Sequence, residues 1–197
     1  MFNEIIFDIE TENTFAEVNN DFKGLRASVV CLYHTGLDAY KHFTVDRFSE
    51  MWPLFESADR LIGYNSEHFD LPVLNNYYQG DLLKLPSLDI LRVIKDSLGR
   101  RIKLDDVAQA TLKVGKSADG LQAITWWKAG EKQKVIDYCM QDVKITKDIY
   151  EYGLKNKQLF YPTLTGTIQP FPVKFDAPVV QPKQNTATAG GVNLTLF

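Results

Sequence analysis

The segment FDIET places two carboxylates, Asp8 and Glu10, two residues apart in a run of β-branched and aromatic residues. Alternate residues of a strand point to the same face of a sheet, so both carboxylates are predicted to project together while Phe7 and Ile9 face apolar packing. Two buried carboxylates repel each other and need a compensating cation. An edge strand with a solvated face is the alternative, and this pair alone does not decide between the two.

A phenol and a carboxylate stand one helical turn apart in the segment YCMQDV, at Tyr138 and Asp142. Residues four apart lie on the same helix face. Because Val135 and Ile145 make that face apolar, we predict a helix that turns both polar groups inward. A buried aspartate needs a partner, so Asp142 is a candidate functional residue.

A further carboxylate follows LIGYN, which is typical of a short apolar strand ending in a turn at Asn65. Asp70 then falls in the first turn of a helix, where an acidic residue is often only a cap. Capping would explain Asp70 alone, and not the glycine, asparagine and phenylalanine that precede it at positions 63, 65 and 69.

Carboxylates are the hard oxygen ligands that Mg²⁺ and Mn²⁺ prefer, and no Cys/His set indicates zinc. Four of them can hold two ions ~4 Å apart. One ion would lower the pKa of an attacking water, and the other would stabilise the leaving oxygen of an in-line phosphoryl displacement. The predicted ligands of this two-metal site are Asp8, Glu10, Asp70 and Asp142.

In this order, FDIET, GYNSEHFDLPVL and YCMQDV resemble the three exonuclease motifs of the DEDD superfamily of 3′–5′ exonucleases. The second and third motifs are particularly similar to those of the proofreading domains of family B DNA polymerases. The superfamily divides by a tyrosine four residues, or a histidine five residues, before the last aspartate. Because residue 138 is Tyr and residue 137 is Asp, the match is to the tyrosine type, DEDDy. The resemblance covers residues 3–154 and implies a ribonuclease H-like fold.

The resemblance also implies a role for each matching carboxylate. Asp8 would bridge both metals. Glu10 and Asp142 would complete the site of the metal that binds the nucleophilic water. Asp70 would hold the shell of the second metal through waters, and Tyr138 would orient the attacking water by a hydrogen bond.

Other residues would position the substrate. Asn65 and Phe69 would hold the terminal nucleotides, Phe69 by contacting a base, and Thr11 would hydrogen-bond the scissile nucleotide. Packing under the helix is the alternative for Phe69, and a simple turn residue is the alternative for Thr11. Separately from the resemblance, the flexible loop KVGKSADG precedes the third motif, and its Lys113 and Lys116 would bind phosphates at the end of a nucleic-acid strand; a solvated surface is the alternative for both lysines.

A second group of basic residues surrounds a predicted helix end. A solvated surface is the ordinary interpretation of such residues, and a phosphate track towards the acidic site is the functional one. The members are Lys95, Arg100, Arg101 and Lys103.

Strands alternate with helices after an initial meander, which predicts an α/β fold. Segments 3–11, 25–34 and 37–45 predict three antiparallel strands, and segment 60–65 predicts a parallel one. We expect the ribonuclease H-like arrangement, a mixed central sheet of three antiparallel strands followed by one or two parallel strands, flanked by helices.

Local signals predict where the helices begin and end. Pro53 is expected to kink or break the first helix. Ser87 is a candidate N-cap of a later helix that stops at Gly99, and Asp89 is a candidate cap with a possible supporting role at the site. Gly153 is expected to end the longest helix, which carries the third motif.

Three regions are expected: a nuclease domain over residues 1–157, a terminal hairpin over 158–175 and a flexible Pro/Thr/Ala/Gly-rich tail over 176–197. The tail ends in NLTLF, which resembles the Gln-Leu-x-Leu-Phe peptide by which bacterial DNA-repair proteins bind the sliding clamp. Asn193 replaces the glutamine. A final strand or an unstructured end is the alternative for Asn193–Phe197.

Composition limits the protein class. The 197 residues carry a net charge of −3, so no global basic field attracts nucleic acid. Cys31 and Cys139 stand in apolar runs, which predicts buried thiols in a reducing compartment. No signal peptide is evident and no window holds the ~20 apolar residues of a membrane span, so we expect a cytoplasmic protein without a membrane partner.

The resemblance of the ordered carboxylate motifs implies a metal-dependent 3′–5′ exonuclease with two Mg²⁺ or Mn²⁺ ions, acting on single-stranded ends, of DNA rather than RNA, and releasing 5′-mononucleotides. Because no polymerase domain follows the motifs, we expect a stand-alone nuclease domain or subunit. The enzymatic alternatives are an exoribonuclease and a structure-specific endonuclease of the same fold. The non-enzymatic alternative is a clamp-tethered adaptor that binds nucleic acid.

Overall fold

The computed structural model describes residues 2–115 and 120–175. Its strands are β1 (Glu4–Thr11), β2 (Ala27–His34), β3 (Ala39–Thr44), β4 (Arg60–Gly63), β5 (Ser87–Asp89), β6 (Gln158–Pro162) and β7 (Ile168–Pro172). Its helices of five residues or more are α1 (Phe48–Ser57), α2 (Asp70–Leu74), α3 (Ile90–Leu98), α4 (Leu104–Leu112), α5 (Gly120–Lys128) and α6 (Lys132–Asn156).

A five-stranded sheet in the order β3-β2-β1-β4-β5 forms the centre of the fold. β1, β2 and β3 are antiparallel neighbours, whereas β4 pairs parallel to β1 and β5 parallel to β4. The predicted mixed sheet of three antiparallel strands followed by parallel strands, flanked by helices, is confirmed. β1 is the middle strand, so its side chains face helices on both sides of the sheet.

Side chains alternate between two separate cores along β1. Ile5 and Phe7 pack in one core with residues of α1 and α2, while Ile6 packs in the other with residues of α6. Since strand side chains alternate strictly, Asp8 and Glu10 continue the Ile6 series and face the α6 side. The period of the strand therefore directs both carboxylates toward the helix that carries the third motif.

A buried polar cluster ties the beginning of β1 to β4 and α6. The guanidinium of Arg60 donates to Glu4 Oε1 from Nε at 3.1 Å and from Nη2 at 2.6 Å. The Tyr150 hydroxyl accepts from Arg60 Nη2 at 2.6 Å and donates to Glu4 Oε2 at 2.9 Å. All three residues are buried. A satisfied buried charge pair of this kind fixes the relative position of the three elements it joins, because breaking it leaves a charge without water.

One boundary prediction is wrong near the second motif. Ser87 is not an N-cap, because Ser87–Asp89 forms β5 and the Ser87 hydroxyl donates to Glu67. The cap of α3 is Asp89, whose carboxylate accepts from the backbone N–H of Leu91 at 2.9 Å. A strand of three residues is too short to show a two-residue period in sequence. Gly99, at φ 70°, ends α3 as predicted.

Two further boundary predictions differ from the structure. α1 continues through Pro53 without a break. The carbonyl of Ser49, which would have accepted the missing N–H, belongs to an exposed residue where water can replace it. Gly153 does not end α6, which continues to Asn156. A Cβ at Gly153 would come within 2.3 Å of Phe175, so the glycine makes room for that ring within the helix.

Two further segments lie outside the three motifs. α5 spans Gly120–Lys128 and was not predicted as a helix. The antiparallel pair β6 and β7 turns at Thr163–Thr167, with Gly166 at φ 82°. The predicted tail 176–197, including the peptide Asn193–Phe197, lies outside the described residues. No helix in the described ranges combines the length and apolar character needed to cross a bilayer.

Replacing Arg60 by Ala should lower the free energy of unfolding by about 3–5 kcal/mol, because Glu4 would remain buried without its cation. The measurement is urea denaturation followed by circular dichroism. The matched control is Arg47→Ala, which breaks the exposed pair of Arg47 with Glu50 and should leave the free energy of unfolding nearly unchanged, because water screens that pair. Equal losses in the two variants would contradict the stabilising role of the buried cluster.

Candidate active site

Three carboxylates from two of the sequence motifs meet where α6 crosses β1. Asp8, Glu10 and Asp142 each place an oxygen within 4.8 Å of the others. Glu10 and Asp142 are buried and Asp8 is half-buried. Asp142 lies more than 130 positions after Asp8 and Glu10, so tertiary packing alone brings it to the other two.

A buried thiol supports the strand beneath this cluster. The Cys139 Sγ lies 3.4 Å from the Asp8 carbonyl oxygen and 3.7 Å from Asp8 Oδ2. Burial raises the pKa of the Cys139 thiol, so the group keeps its proton and acts as a weak donor. Cys31, opposite Asp8 in the β1–β2 register, is also buried and free. The predicted buried thiols therefore lie directly against the acidic cluster.

A cavity of about 490 Å³ opens onto the three carboxylates. Tyr138 lines it one helical turn from Asp142, and its ring packs edge-on against Trp126 with centroids 6.3 Å apart. This packing fixes the phenol beside the acidic cluster. The predicted pairing of a phenol and a carboxylate on one inward helix face is therefore observed.

The rest of the cavity wall is largely apolar. Phe69 lines it from the second motif and packs edge-on against Phe15 at 5.6 Å. Thr11 also lines it, and its hydroxyl donates to the Asn13 carbonyl at 2.9 Å. Phe69 and Thr11 thus have both a packing or turn contact and access to the cavity. The remaining apolar lining residues are Ile9, Leu25, Leu121 and Ile124.

Asp70 lies beside the cluster and is almost fully buried, 4% exposed. Its carboxylate accepts a hydrogen bond from the backbone N–H of Ile9, between the two acidic residues of β1. Burial, followed by repulsion from Asp89 and Asp142, raises the pKa of Asp70 to about 8. The oxygen cluster described above does not include Asp70. The Asp70 carboxylate instead contacts the backbone of β1, the strand that carries Asp8 and Glu10.

The turn that carries the second motif is held by one carboxylate. Asp89 accepts from the backbone N–H of Asn65 at 2.8 Å and of Glu67 at 3.2 Å, in addition to capping α3. Asn65 adopts φ 69°, a left-handed conformation that asparagine tolerates. Gly63 leaves space for Ser66, since a Cβ at 63 would lie 2.5 Å from the Ser66 Cβ.

Three predicted substrate-binding residues lie away from the cavity or outside the described chain. The side chain of Asn65 accepts a hydrogen bond from Arg101 and lines a neighbouring groove. Lys113 is exposed at the end of α4, where its Nζ donates to the Ala110 carbonyl at 3.0 Å. Lys116 lies outside the described residues.

Comparison with known protein families identifies the superfamily of this chain. A family model described as the RNase_H superfamily matches residues 5–153. The chain belongs to the RNase_H superfamily. No curated protein matches the chain. Membership in this superfamily supports a hydrolytic nuclease.

Several solved structures are similar to this chain. One of them is the family B DNA polymerase from the hyperthermophilic archaeon Pyrobaculum calidifontis, at a TM-score of 0.59 and 17% sequence identity. The match covers 78% of this chain and 25% of the polymerase chain, so the chain spans about a quarter of the polymerase's length. At this identity the likeness shows the fold alone.

The donor set fits the divalent cations that RNase H-like nucleases use. Asp8, Glu10 and Asp142 supply only carboxylate oxygens, which suit Mg²⁺ and Mn²⁺ rather than softer metals. The oxygens of all three converge on one side of the sheet within the span of a single ion-binding site. The acidic cluster is therefore suited to a hard cation.

Sequence reasoning missed several residues that shape the site. Asp89 was considered only as a helix cap, with a possible supporting role, yet it also organises the second-motif turn. Phe15 and the α5 residues Leu121 and Ile124 line the cavity without belonging to any motif. The signal for Phe15 was an aromatic residue just beyond the first motif, in the loop that must cross the end of β1.

The metal-free protein should lose stability as pH rises from about 5 to 9, because the folded-state pKa of Asp70 is raised above its ordinary value. The neutral carboxyl stabilises the folded state below the ordinary pKa, and this contribution disappears as pH passes about 8. Urea denaturation in EDTA across this range should show a shallower pH dependence for Asp70→Asn than for the unmodified chain.

Asp46→Asn is the matched control for that experiment. Asp46 is exposed, and the Thr44 hydroxyl lowers the pKa of its carboxyl, so it stays ionised throughout this range. Its replacement should leave the slope unchanged. Identical slopes for Asp70→Asn and the unmodified chain would show that Asp70 ionises without cost.

Gly63→Ala should lower the free energy of unfolding by about 1–3 kcal/mol, because the new Cβ would collide with Ser66. Ser66→Gly removes the colliding atoms, so the double variant Gly63→Ala/Ser66→Gly should recover stability relative to Gly63→Ala alone. Urea denaturation of the three variants measures this coupling. If the two losses simply add, the close contact of Gly63 with Ser66 does not explain the glycine.

Proposed function

We propose that this chain is a metal-dependent 3′–5′ exonuclease of the DEDDy type, which hydrolyses single-stranded DNA ends and releases 5′-mononucleotides. The observation that carries the proposal is the meeting of Asp8, Glu10 and Asp142 in a cavity that Tyr138 also lines. These residues come from two motifs of the exonuclease pattern, and Asp70 of the remaining motif is hydrogen-bonded to the same strand.

The proposed cofactors are two Mg²⁺ or Mn²⁺ ions. Asp8, Glu10 and Asp142 would hold one of them, and Asp8 together with Asp70 would hold the other. When bound, such ions supply an activated water and neutralise the charge that develops on the phosphate. Cation binding would also stabilise the ionised form of Asp70, whose burial otherwise favours the protonated carboxyl.

The chain itself supplies positioning and a binding surface for the end of a strand. The Tyr138 hydroxyl, fixed by the packing of its ring on Trp126, can hydrogen-bond a water beside the acidic cluster. Phe69 and Phe15 offer aromatic surface to a terminal base. Thr11 lines the same cavity and is placed to contact the last nucleotide.

The size of the cavity supports a single nucleotide end as substrate. Its volume of about 490 Å³ falls within the range of small-ligand sites, roughly 300–1,000 Å³. A paired end would have to separate before its last nucleotide entered this space. We therefore propose a single-stranded end, with DNA as the substrate and RNA as the alternative to be compared.

Incubating a 5′-labelled single-stranded DNA with Mg²⁺ should give a ladder that shortens from the 3′ end, together with free 5′-mononucleotides. Asp8→Ala should reduce the rate about 100-fold or more, because it removes a ligand shared by both metals and with it several kcal/mol of transition-state stabilisation. Tyr138→Phe should keep the ring packing and lose only the hydroxyl, so its loss should be smaller. Denaturing electrophoresis measures all three rates.

Asp137→Ala is the matched control, since Asp137 precedes Tyr138 on α6 and is exposed. Its rate should equal that of the unmodified chain. A circular single strand should resist digestion, and its cleavage would identify an endonuclease instead. Equal rates for Asp8→Ala and the unmodified chain would reject the proposed site. Parallel digestion of RNA of the same sequence decides the substrate class.

A further inference from the structure

A basic groove lies on the other flank of the second-motif turn. We use this name for the surface lined by Arg92, Lys95, Arg101 and Lys103, in two adjoining concavities of about 280 and 510 Å³ that share Asn65 and Arg101. Phe69, four residues beyond Asn65, lines the catalytic cavity. One short turn therefore contributes a wall to both the cavity and the groove.

The carboxylates that line the smaller concavity are already engaged. Glu67 accepts from Arg92 and from the Ser87 hydroxyl. Asp89 is buried and accepts backbone N–H groups, as described above. This leaves the charges of two exposed cations, Lys95 and Arg101, for an external anion.

No carboxylate among residues 2–115 and 120–175 pairs with Lys95 or Arg101. Within the described part of the chain, the Arg101 guanidinium donates to one neutral acceptor, the amide oxygen of Asn65. A guanidinium bonded to an amide keeps its full charge and its remaining donors for an anion. Asp105 lines the larger concavity, so the anion-binding surface is best developed on the Lys95 side.

Aromatic rings connect the groove with the catalytic cavity. The Phe15 and Phe69 rings, which line the cavity, are 5.6 Å apart. Phe22 lies 6.4 Å from Phe69 and 5.9 Å from His68, and His68 lines the groove. His68 is exposed, while the phenylalanines are half-buried. Aromatic surface next to exposed cations is the combination that binds single-stranded nucleic acid, since bases stack while phosphates pair with the charges.

We propose that the basic groove binds the phosphates of the single strand upstream of its terminal nucleotide, with Lys95 and Arg101 as the principal contacts. This inference rests on the proposed exonuclease function and extends its substrate site from one nucleotide to several. The strand would pass from the cavity over Phe69 and His68 into the groove. The turn centred on Asn65 would then set the path between the two.

The test is binding of a fluorescent twelve-nucleotide DNA strand, measured by anisotropy between about 50 and 200 mM KCl, the range over which phosphate contacts are most visible. The protein is the full chain carrying Asp8→Ala, so that the strand stays intact. Each phosphate contact to a single strand contributes about 0.7 to the slope of log Kd against log salt. Lys95→Ala with Arg101→Ala should therefore reduce the slope by about 1.4.

Lys95→Ala alone serves as the second variant, because Arg101→Ala also removes the hydrogen bond to Asn65. It should reduce the slope by about 0.7. The matched control is the pair Lys144→Ala and Lys155→Ala, two exposed lysines of α6. This pair removes the same charge from the protein and should leave the slope as in the parent.

Equal slopes in the parent, Lys95→Ala and the double groove variant would overturn the groove as a phosphate site. Equal reductions in the groove and control variants would also overturn it, because they would show a net-charge effect rather than a local one. These outcomes are separate from the proposed function. Hydrolysis by the unmodified chain tests the exonuclease, whereas strand binding by the Asp8→Ala chain does not require turnover.

Discussion

The packing of α6 against the middle strand is the contact on which the candidate site depends. β1 directs Asp8 and Glu10 to one face because strand side chains alternate, and α6 brings Asp142 to the same face because its apolar side must be buried. The buried Glu4, Arg60 and Tyr150 cluster joins the same two elements at the beginning of β1. The positions of the three carboxylates therefore depend on the apolar packing of α6 against β1 and on the buried charge pair at the beginning of β1.

The site concentrates negative charge where water is scarce. Asp70 shows the cost, because burial and two neighbouring carboxylates favour its protonated form. Buried carboxylates without a cation do not stabilise a protein core. Because these carboxylates lie at a cavity that a phenol and aromatic rings also line, a catalytic cation site is favoured over a structural interpretation.

Much of the fold was predictable from sequence because its signals are local. The alternation around Asp8 and the four-residue spacing of Tyr138 and Asp142 depend only on strand and helix geometry. The mixture of antiparallel and parallel strands followed from the meander and the apolar segments. The antiparallel hairpin β2–β3 needed only a polar link containing a glycine.

The features that could not be predicted from the sequence depend on tertiary contacts. β5 has three residues and exists because it pairs with β4, so no periodic pattern marks it. α5 carries a weak apolar pattern, and its first turn follows the loop in which the phosphate-binding lysines were predicted. The second function of Asp89 could not be predicted, because the N–H groups it accepts from belong to a turn more than twenty residues earlier.

The contact of Gly153 with Phe175 changes how the end of the fold should be divided. Leu159, Phe171 and Phe175 are buried in the same core as residues of α6 and β1. The hairpin is therefore an integral side of that core rather than an attachment to it. Cutting the chain after α6 would expose to water the apolar residues of the Asp142-bearing helix that share this core with the hairpin.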